Sequence, residues 1–259
     1  MKMNVETIRV EFDNKEGLNL SGLLERPVGT EPSAYGLFAH CFTCSKNYKA
    51  VGNIARTLAS QGIAIMRFDF TGLGESEGSF ADTSFSSNVE DLIAAAEFME
   101  AHYSSPRLLI GHSLGGTAVL QAAKDIPSAA AVVTIASPFD PSNLMRLLTG
   151  KRLELEQRGE VEVNIGGRPF TIKKQFIDDL ETAEMETSIK NLEKALLVLH
   201  SPTDPVVSIQ QASHIFGAAR HPKSYVSLDE ADHLLSDERH SRYAGDVIAA
   251  WVSKYIGPS

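Results

Sequence analysis

Apolar residues recur along this chain in two alternating rhythms. In one, they fill short consecutive runs, at 35–39, 63–68, 108–110, 131–135 and 195–200. Strands read this way when both faces of their sheet are covered. In the other, they return every three or four residues. Val51, Ile54, Ala55 and Leu58 do so within 48–61, and Val89, Leu92, Ile93, Ala96 and Met99 within 84–102. That spacing lays one apolar face along a helix. A further helix over 208–218 and a strand over 224–228 continue the series. A last helix is striped by Tyr243, Val247, Ile248, Trp251, Val252 and Tyr255. Ahead of the series, 7–12 and 18–26 read as two strands joined by the turn-rich Asp13-Asn14-Lys15-Glu16-Gly17. Strands alternating with helices predict an α/β fold, with a mostly parallel central sheet and helices on both of its faces.

The rhythm breaks once, over about 138–190. This stretch reads as a charged helix around 144–158, an alternating run at 161–165, Gly166-Gly167, a second extended run at 168–172, and a helix over 173–186. Two extended runs joined by paired glycines predict a tight hairpin, because both glycines can take positive φ. Val161, Val163 and Ile165 would share one face of it, with Glu162 and Asn164 on the other. The block is an insertion rather than another strand–helix unit. Its flanking strands open on one sheet edge, so a small helix-plus-hairpin cap over that edge is expected. Leu147, Leu148, Phe170 and Phe176 are its candidate apolar pocket residues.

Composition adds bounds. The 259 residues suit one large α/β domain with this insertion, and 43% hydrophobic with 22% charged residues is the balance of a folded globular chain. A net charge of −9 argues against nucleic acid or an anionic membrane surface as partner. No apolar run approaches the roughly 20 residues a bilayer span needs. The start, Met1-Lys2-Met3-Asn4, lacks a secretory layout. The cytoplasm is therefore the expected compartment. A homo-oligomer is compatible with the sequence.

Candidate chemistry centres on Gly111-His112-Ser113-Leu114-Gly115, set between the apolar run 108–110 and the small-residue stretch 117–123. Strand, G-x-S-x-G, helix describes a sharp turn that lifts the serine Oγ clear of a sheet edge. A serine needs a base, and the base an acid to orient it, in the chain order Ser, Asp, His. Asp204 follows the 195–200 run and His233 follows the 224–228 run, so both fall at the carboxyl ends of parallel strands with Ser113. Asp140 is an alternative acid. Among the other histidines, His102, His214, His221 and His240 sit in helices or at their ends and read as solvated. His200 reads as satisfying nearby backbone groups, and His112 as the variable position of the turn. Oxyanion donors are expected from the N–H groups of Leu114 and Phe42. Cys41 and Cys44 are too few for a disulfide framework and read as small residues buried in the Phe42 loop, not as a redox or metal site. The loop at 69–78 has G-x-G without the third glycine of a dinucleotide fingerprint.

With these residues in place the chain resembles the α/β-hydrolase superfamily, near its serine aminopeptidase-like and feruloyl-esterase-like branches. More closely, it resembles the hydrolase half of proteins that fuse an α/β-hydrolase to an OsmC-like peroxide-handling domain. The resemblance rests on residues 39–46, 67–78, 85–92, 111–116, 168–176 and 219–235. It implies an α/β-hydrolase fold and an esterase of small or aryl carboxylic esters that uses no cofactor and no metal. The OsmC-like domain of the fused relatives is absent from these residues. That fits either a standalone relative or a part of a longer chain, and peroxide chemistry is not implied. A serine carboxylesterase working through an acyl-enzyme on Ser113 is the leading expectation. A peptidase or amidase on the same residues is one alternative, and a non-catalytic binding protein of this fold is another.

Overall fold

The computed structural model describes residues 3–41, 43–141, 148, 150–165 and 167–257. The chain opens with the hairpin β1 (Val5–Asp13) and β2 (Asn19–Pro27). Then come β3 (Ala34–Ala39), α1 (Lys49–Ala59), β4 (Ile63–Phe68), α2 (Phe85–His102), β5 (Leu108–His112), α3 (Leu114–Ala122) and β6 (Ala131–Ile135). An excursion follows, built of α4 (Arg152–Arg158), β7 (Glu160–Ile165), β8 (Arg168–Lys173), α5 (Lys174–Thr182) and α6 (Met185–Lys190). The chain closes with β9 (Ala195–His200), α7 (Ile209–Ala218), β10 (Lys223–Ser227) and α8 (Glu238–Ile256).

Eight strands form one sheet in the order β1-β2-β4-β3-β5-β6-β9-β10. Pairing is antiparallel from β1 through β2 to β4 and parallel from β4 to β10. This is the α/β-hydrolase architecture. Every position of β3, β4, β5, β6 and β9 is buried, as their near-continuous apolar runs require. Successive side chains serve opposite faces. Leu108 and Ile110 belong to the core on one face, with Ile54 and Leu58 of α1 and Ile248 and Val252 of α8, whereas Leu109 belongs to the core on the other, with Leu92 and Met99 of α2. Each such aliphatic contributes about 1.5–3 kcal/mol on burial. α2 begins on a reciprocal cap. Ser84 Oγ accepts from the Ser87 N–H at 3.0 Å, and Ser87 Oγ accepts from the Ser84 N–H at 2.8 Å.

Two elements differ from their sequence patterns. The buried line of α8 is Ala244, Ile248, Val252 and Ile256, with Val247, Trp251 and Tyr255 packed half-buried against the same core, while Tyr243 alone of the expected stripe is exposed. The helix approaches α1 through Gly245, where a Cβ would sit 2.8 Å from Thr57 Cβ, so a side chain there would push the two helices apart. The single helix expected over 173–186 is two, α5 and α6. Ala183 between them is extended (φ −68°, ψ 112°), which lets Met185 and Ile189 turn into the core beside Ile177 and Leu180.

Because β6 and β9 are direct neighbours, the excursion leaves and re-enters the sheet between adjacent strands, at their carboxyl and amino ends. Its hairpin pairs Val161 with Ile172 and Val163 with Phe170. Val161, Val163 and Ile172 are buried, while Glu162 and Asn164 face solvent. Of the expected charged helix over 144–158, the helical part is Arg152–Arg158; 144–147, with Leu147, and 149 lie outside the described residues.

Candidate active site

Three loops at the carboxyl edge of the sheet converge, after β5, β9 and β10. Ser113 takes φ 53° and ψ −128°, a backbone strained for any residue with a side chain. Its N–H donates to Ile135 O at 2.8 Å, which fastens the turn to β6. The flanking glycines are a packing requirement. A Cβ on Gly115 would overlap the carbonyls of Ala39 and His40, and one on Gly111 would overlap the Gly115 carbonyl. The turn therefore closes only with hydrogens there.

The structure brings together the serine, histidine and aspartate that the sequence nominates. Ser113 Oγ lies 3.0 Å from His233 Nε2, and His233 Nδ1 lies 2.8 Å from Asp204 Oδ2. The His233 ring is nearly buried and the Asp204 carboxylate wholly so. Burial pushes the Asp204 carboxyl up, but the hydrogen bond and charge of His233 and the N–H groups of Val207 and Val206 outweigh it, so the group stays below the usual carboxylate range. Those two amides hold Oδ1 at 2.9 and 2.8 Å. An ionised carboxylate on Nδ1 keeps that nitrogen protonated, leaving Nε2 to accept from the serine hydroxyl. Asp140, the alternative acid, is exposed, and its backbone N–H donates to Gln211 Oε1 at 3.2 Å. The carboxylate on His233 is that of Asp204.

Two further histidines serve this edge. His112 Nε2 lies 2.7 Å from the carbonyl of His233, and burial, then the neighbouring His233, pushes the imidazole down to about 3. His200 Nε2 lies 2.8 Å from Val207 O and 3.7 Å from Asp204 Oδ2, and burial lowers that ring too.

Opposite them runs the loop after β3. Leu114 opens α3, where a helix leaves its first amides without an intrahelical acceptor, so its N–H stays available beside Ser113. Phe42, the second expected donor, lies outside the described residues. Cys41 and Cys44 correct the sequence reading, because they form a disulfide. Cys44 N–H donates to Cys41 O at 3.1 Å, closing a turn that brings the two Cα atoms to 5.3 Å, within disulfide reach. A count of two cysteines carries no sign of such a turn.

Beneath the loop lies an ionic network that the sequence reading missed. Lys46 Nζ meets Asp69 Oδ2 at 2.5 Å and Glu75 Oε2 at 2.7 Å, with the Lys46 and Asp69 side chains essentially without exposure. The Lys46 N–H donates to Asp69 Oδ1 at 2.6 Å, and its carbonyl accepts from Arg67, which in turn pairs with buried Glu25 at 2.6 Å. A legible signal was there: Arg67 is the one charged residue in the otherwise apolar run 63–68, where a charge needs a partner.

Of the expected pocket residues, Leu148 and Phe176 are nearly fully buried and pack into the interior rather than standing on an open wall. Phe170 is half-buried, its ring 5.2 Å from that of Phe80. Among the described residues, no group of three His, Cys, Asp or Glu is placed to hold a metal ion, and no helix is long and apolar enough to cross a membrane.

Comparison with known proteins places this edge in context. Residues 37–182 match the family described as serine aminopeptidase, S33. The chain belongs to the serine aminopeptidase S33 family. As a member of that hydrolase family it is similar to the esterase domain of a Rhodothermus marinus protein. The two are 49% identical with a TM-score of 0.80, covering 98% of this chain and 100% of that one. The uncharacterized protein YfhR of Salmonella typhimurium is 24% identical over 92% of this chain and 78% of its own. Est1E of Butyrivibrio proteoclasticus, solved with ferulic acid bound, shares the fold at TM-score 0.79 and 19% identity, covering 95% of this chain and 99% of that one.

Proposed function

We propose that this S33-family hydrolase is a serine carboxylesterase that cleaves small or aryl carboxylic esters through an acyl-enzyme on Ser113. The observation that carries the reading is the continuous hydrogen-bonded line Ser113–His233–Asp204, with the serine on a strained turn at the sheet edge. The 49% identity to an esterase domain favours an ester over an amide.

In the proposed reaction Ser113 Oγ attacks the ester carbonyl carbon while His233 Nε2 takes the hydroxyl proton. Asp204 steadies the resulting imidazolium without taking the proton itself. The carbonyl oxygen becomes an oxyanion facing the N–H of Leu114 and, as the second donor, that of Phe42; each such donor is worth roughly 3 kcal/mol. Collapse breaks the carbon–alkoxy bond, and the imidazolium gives its proton to the leaving alcohol. Water then attacks the acyl-enzyme with His233 again as base, releasing the acid and restoring Ser113. No step calls for a cofactor. The insertion acts as a cap whose half-buried Phe170 meets the acyl or aryl group.

A panel of p-nitrophenyl esters beside aminoacyl anilides, run on the wild type and on Ser113→Ala, tests this. Ester turnover that vanishes with Ser113, with anilides left untouched, is the expected result. Faster anilide cleavage would make the chain a peptidase, and no turnover of either would make it a binding protein.

A further inference from the structure

His112 stands immediately before the nucleophile and takes no part in the reaction proposed above. Yet it is only 4% exposed, and its ring centroid is 5.2 Å from that of His233. Its Nε2 lies 2.7 Å from a main-chain carbonyl, which can only accept, so Nε2 carries the proton and donates. The imidazole is held neutral by burial, leaving one ring proton, and this bond commits it.

The acceptor is the carbonyl of His233 itself. His233 lies in the irregular segment between β10 and α8, where Glu230 and Leu235 both take positive φ (63° and 51°). Within that segment Ala231 N–H donates to Leu228 O at 3.2 Å and Leu235 N–H to Asp232 O at 3.1 Å, and its start is tied to β9 by the Leu228 N–H, which donates to His200 O at 2.9 Å five positions before His233. The Asp204 bond fixes the tilt of the imidazole but not the position of the backbone that carries it. The bond from His112 does fix that backbone, and it comes from the nucleophile's own turn. Any shift of the Ser113 turn thus carries the His233 loop along with it.

We propose that His112 is a positioning residue that ties the base's backbone to the nucleophile's turn and so holds Ser113 Oγ and His233 Nε2 at reactive distance. This rests on the esterase reading of the same site. Misplacement on the ångström scale costs about 100-fold in rate, so the cost of losing the tie falls on kcat and not on KM.

Reach provides the test, because two amide side chains differ only in length. In His112→Gln the amide N–H extends to about where Nε2 sits; in His112→Asn it falls short. Both variants, His112→Leu and the wild type are compared for kcat and KM with p-nitrophenyl acetate. The low-field proton resonance of His233 Nδ1–H and the melting temperature are recorded in parallel. His112→Asn and His112→Leu are expected to lose about 10- to 100-fold in kcat, with KM within about twofold and the Nδ1–H signal broadened. His112→Gln is expected to keep kcat within about fivefold of wild type and retain the signal. Equal losses in Gln and Asn, or a wild-type kcat in Leu or Asn, would overturn the proposal, because a purely structural role follows melting temperature and not reach. A Ser113→Ala control separates the two readings. If it stays active, the esterase reading fails; if it is dead while His112→Asn is fully active, only the role of His112 fails.

Discussion

The sheet edge and the insertion above it are built to different standards. At the edge, Ser113, Asp204 and His233 each follow a strand that is hydrogen-bonded to its neighbours, and His112 and His200 fasten the loops from buried positions. The insertion is buried on one face only. Val161, Val163, Ile172, Phe176 and Leu180 hold it down, while its outer face is charged. Its polar ties to the body include Asp179, which accepts from the Ser86 N–H and Oγ at 2.6 and 2.7 Å, Ser188, whose Oγ donates to Gln121 Oε1 at 2.6 Å, Lys173, which pairs with Asp82, and Arg168, which donates to Thr43 O at 2.9 Å. Arg168 thus links the hairpin to the loop after β3. The contrast teaches where tolerance lies. On the proposed reading the chemistry rests on the continuous sheet, which holds Ser113, His233 and Asp204 in one hydrogen-bonded line, whereas substrate choice would rest on the insertion, which is held down on one face.

The comparison breaks most severely if edge residues prove dispensable. Ser113→Ala and His233→Ala should each lower esterase kcat by about 10⁴–10⁶, to the uncatalysed background. Asp204→Asn should cost about 10³–10⁴ through the wrong imidazole tautomer, and Asp140→Asn no more than about twofold. A larger loss in Asp140→Asn, read from steady-state kinetics, would reassign the acid.

Next come substitutions that act through stability. Lys46→Met strands the buried Asp69 carboxylate and should cost about 3–5 kcal/mol in urea unfolding. Phe176→Ala should cost a similar 3–5 kcal/mol, because its ring is interior. Phe176→Ala with wild-type stability and an altered acyl preference would instead place that ring on a pocket wall.

A smaller effect is expected from pH. His112 titrates at about 3 in the folded chain against an ordinary imidazole value of 6.5, so between these values the unfolded chain binds more protons. Stability therefore rises with pH across this window and is lost as pH falls from 6.5 toward 3, by about 1.4 kcal/mol per unit. Buried His40 and His200 are lowered as well and act in the same sense. The urea midpoint should therefore drop between about pH 7 and pH 5, with His112→Gln showing a shallower drop. Equal drops in both proteins would remove His112 from the account.

The smallest effects sharpen the comparison from the insertion's side. Phe170→Ala should change the kcat/KM ratio between acetate and longer acyl esters by about 3- to 10-fold, the worth of a few methylene contacts. Labelling of Ser113 by a small fluorophosphonate should hardly change. An unaltered ratio in a folded variant would deny the insertion its part in selection.

Sequence legibility follows the same division. Strands buried on both faces must be largely apolar, so the runs at 63–68, 108–110, 131–135 and 195–200 announced the sheet, and a G-x-S-x-G turn between one of them and a small-residue stretch announced its busiest point. Chain order then singled out Asp204 and His233. Features that depend on tertiary neighbours were not legible. Nothing local to His112 shows that its ring reaches a carbonyl 121 positions away. Lys46 and Asp69, 23 positions apart, meet only once β3 and β4 pair. In the insertion, helical spacing over 173–186 was real but blind to the extended Ala183, since periodicity does not register one residue leaving the helical region. Helical spacing placed Tyr243 on the α8 stripe with Val247, Ile248, Trp251, Val252 and Tyr255; those five do pack on the core, but spacing does not register that the core ends short of Tyr243.

The central claim is that Ser113 carries the acyl group, and trapping that group tests it most directly. Wild-type protein mixed with p-nitrophenyl butyrate, quenched in acid within the first turnover and peptide-mapped by mass spectrometry, should show one butyryl group on the peptide containing Ser113. The adduct should be missing from Ser113→Ala, which should also release no burst of p-nitrophenol. A butyryl group on any other residue, or an undiminished burst from Ser113→Ala, would contradict the account.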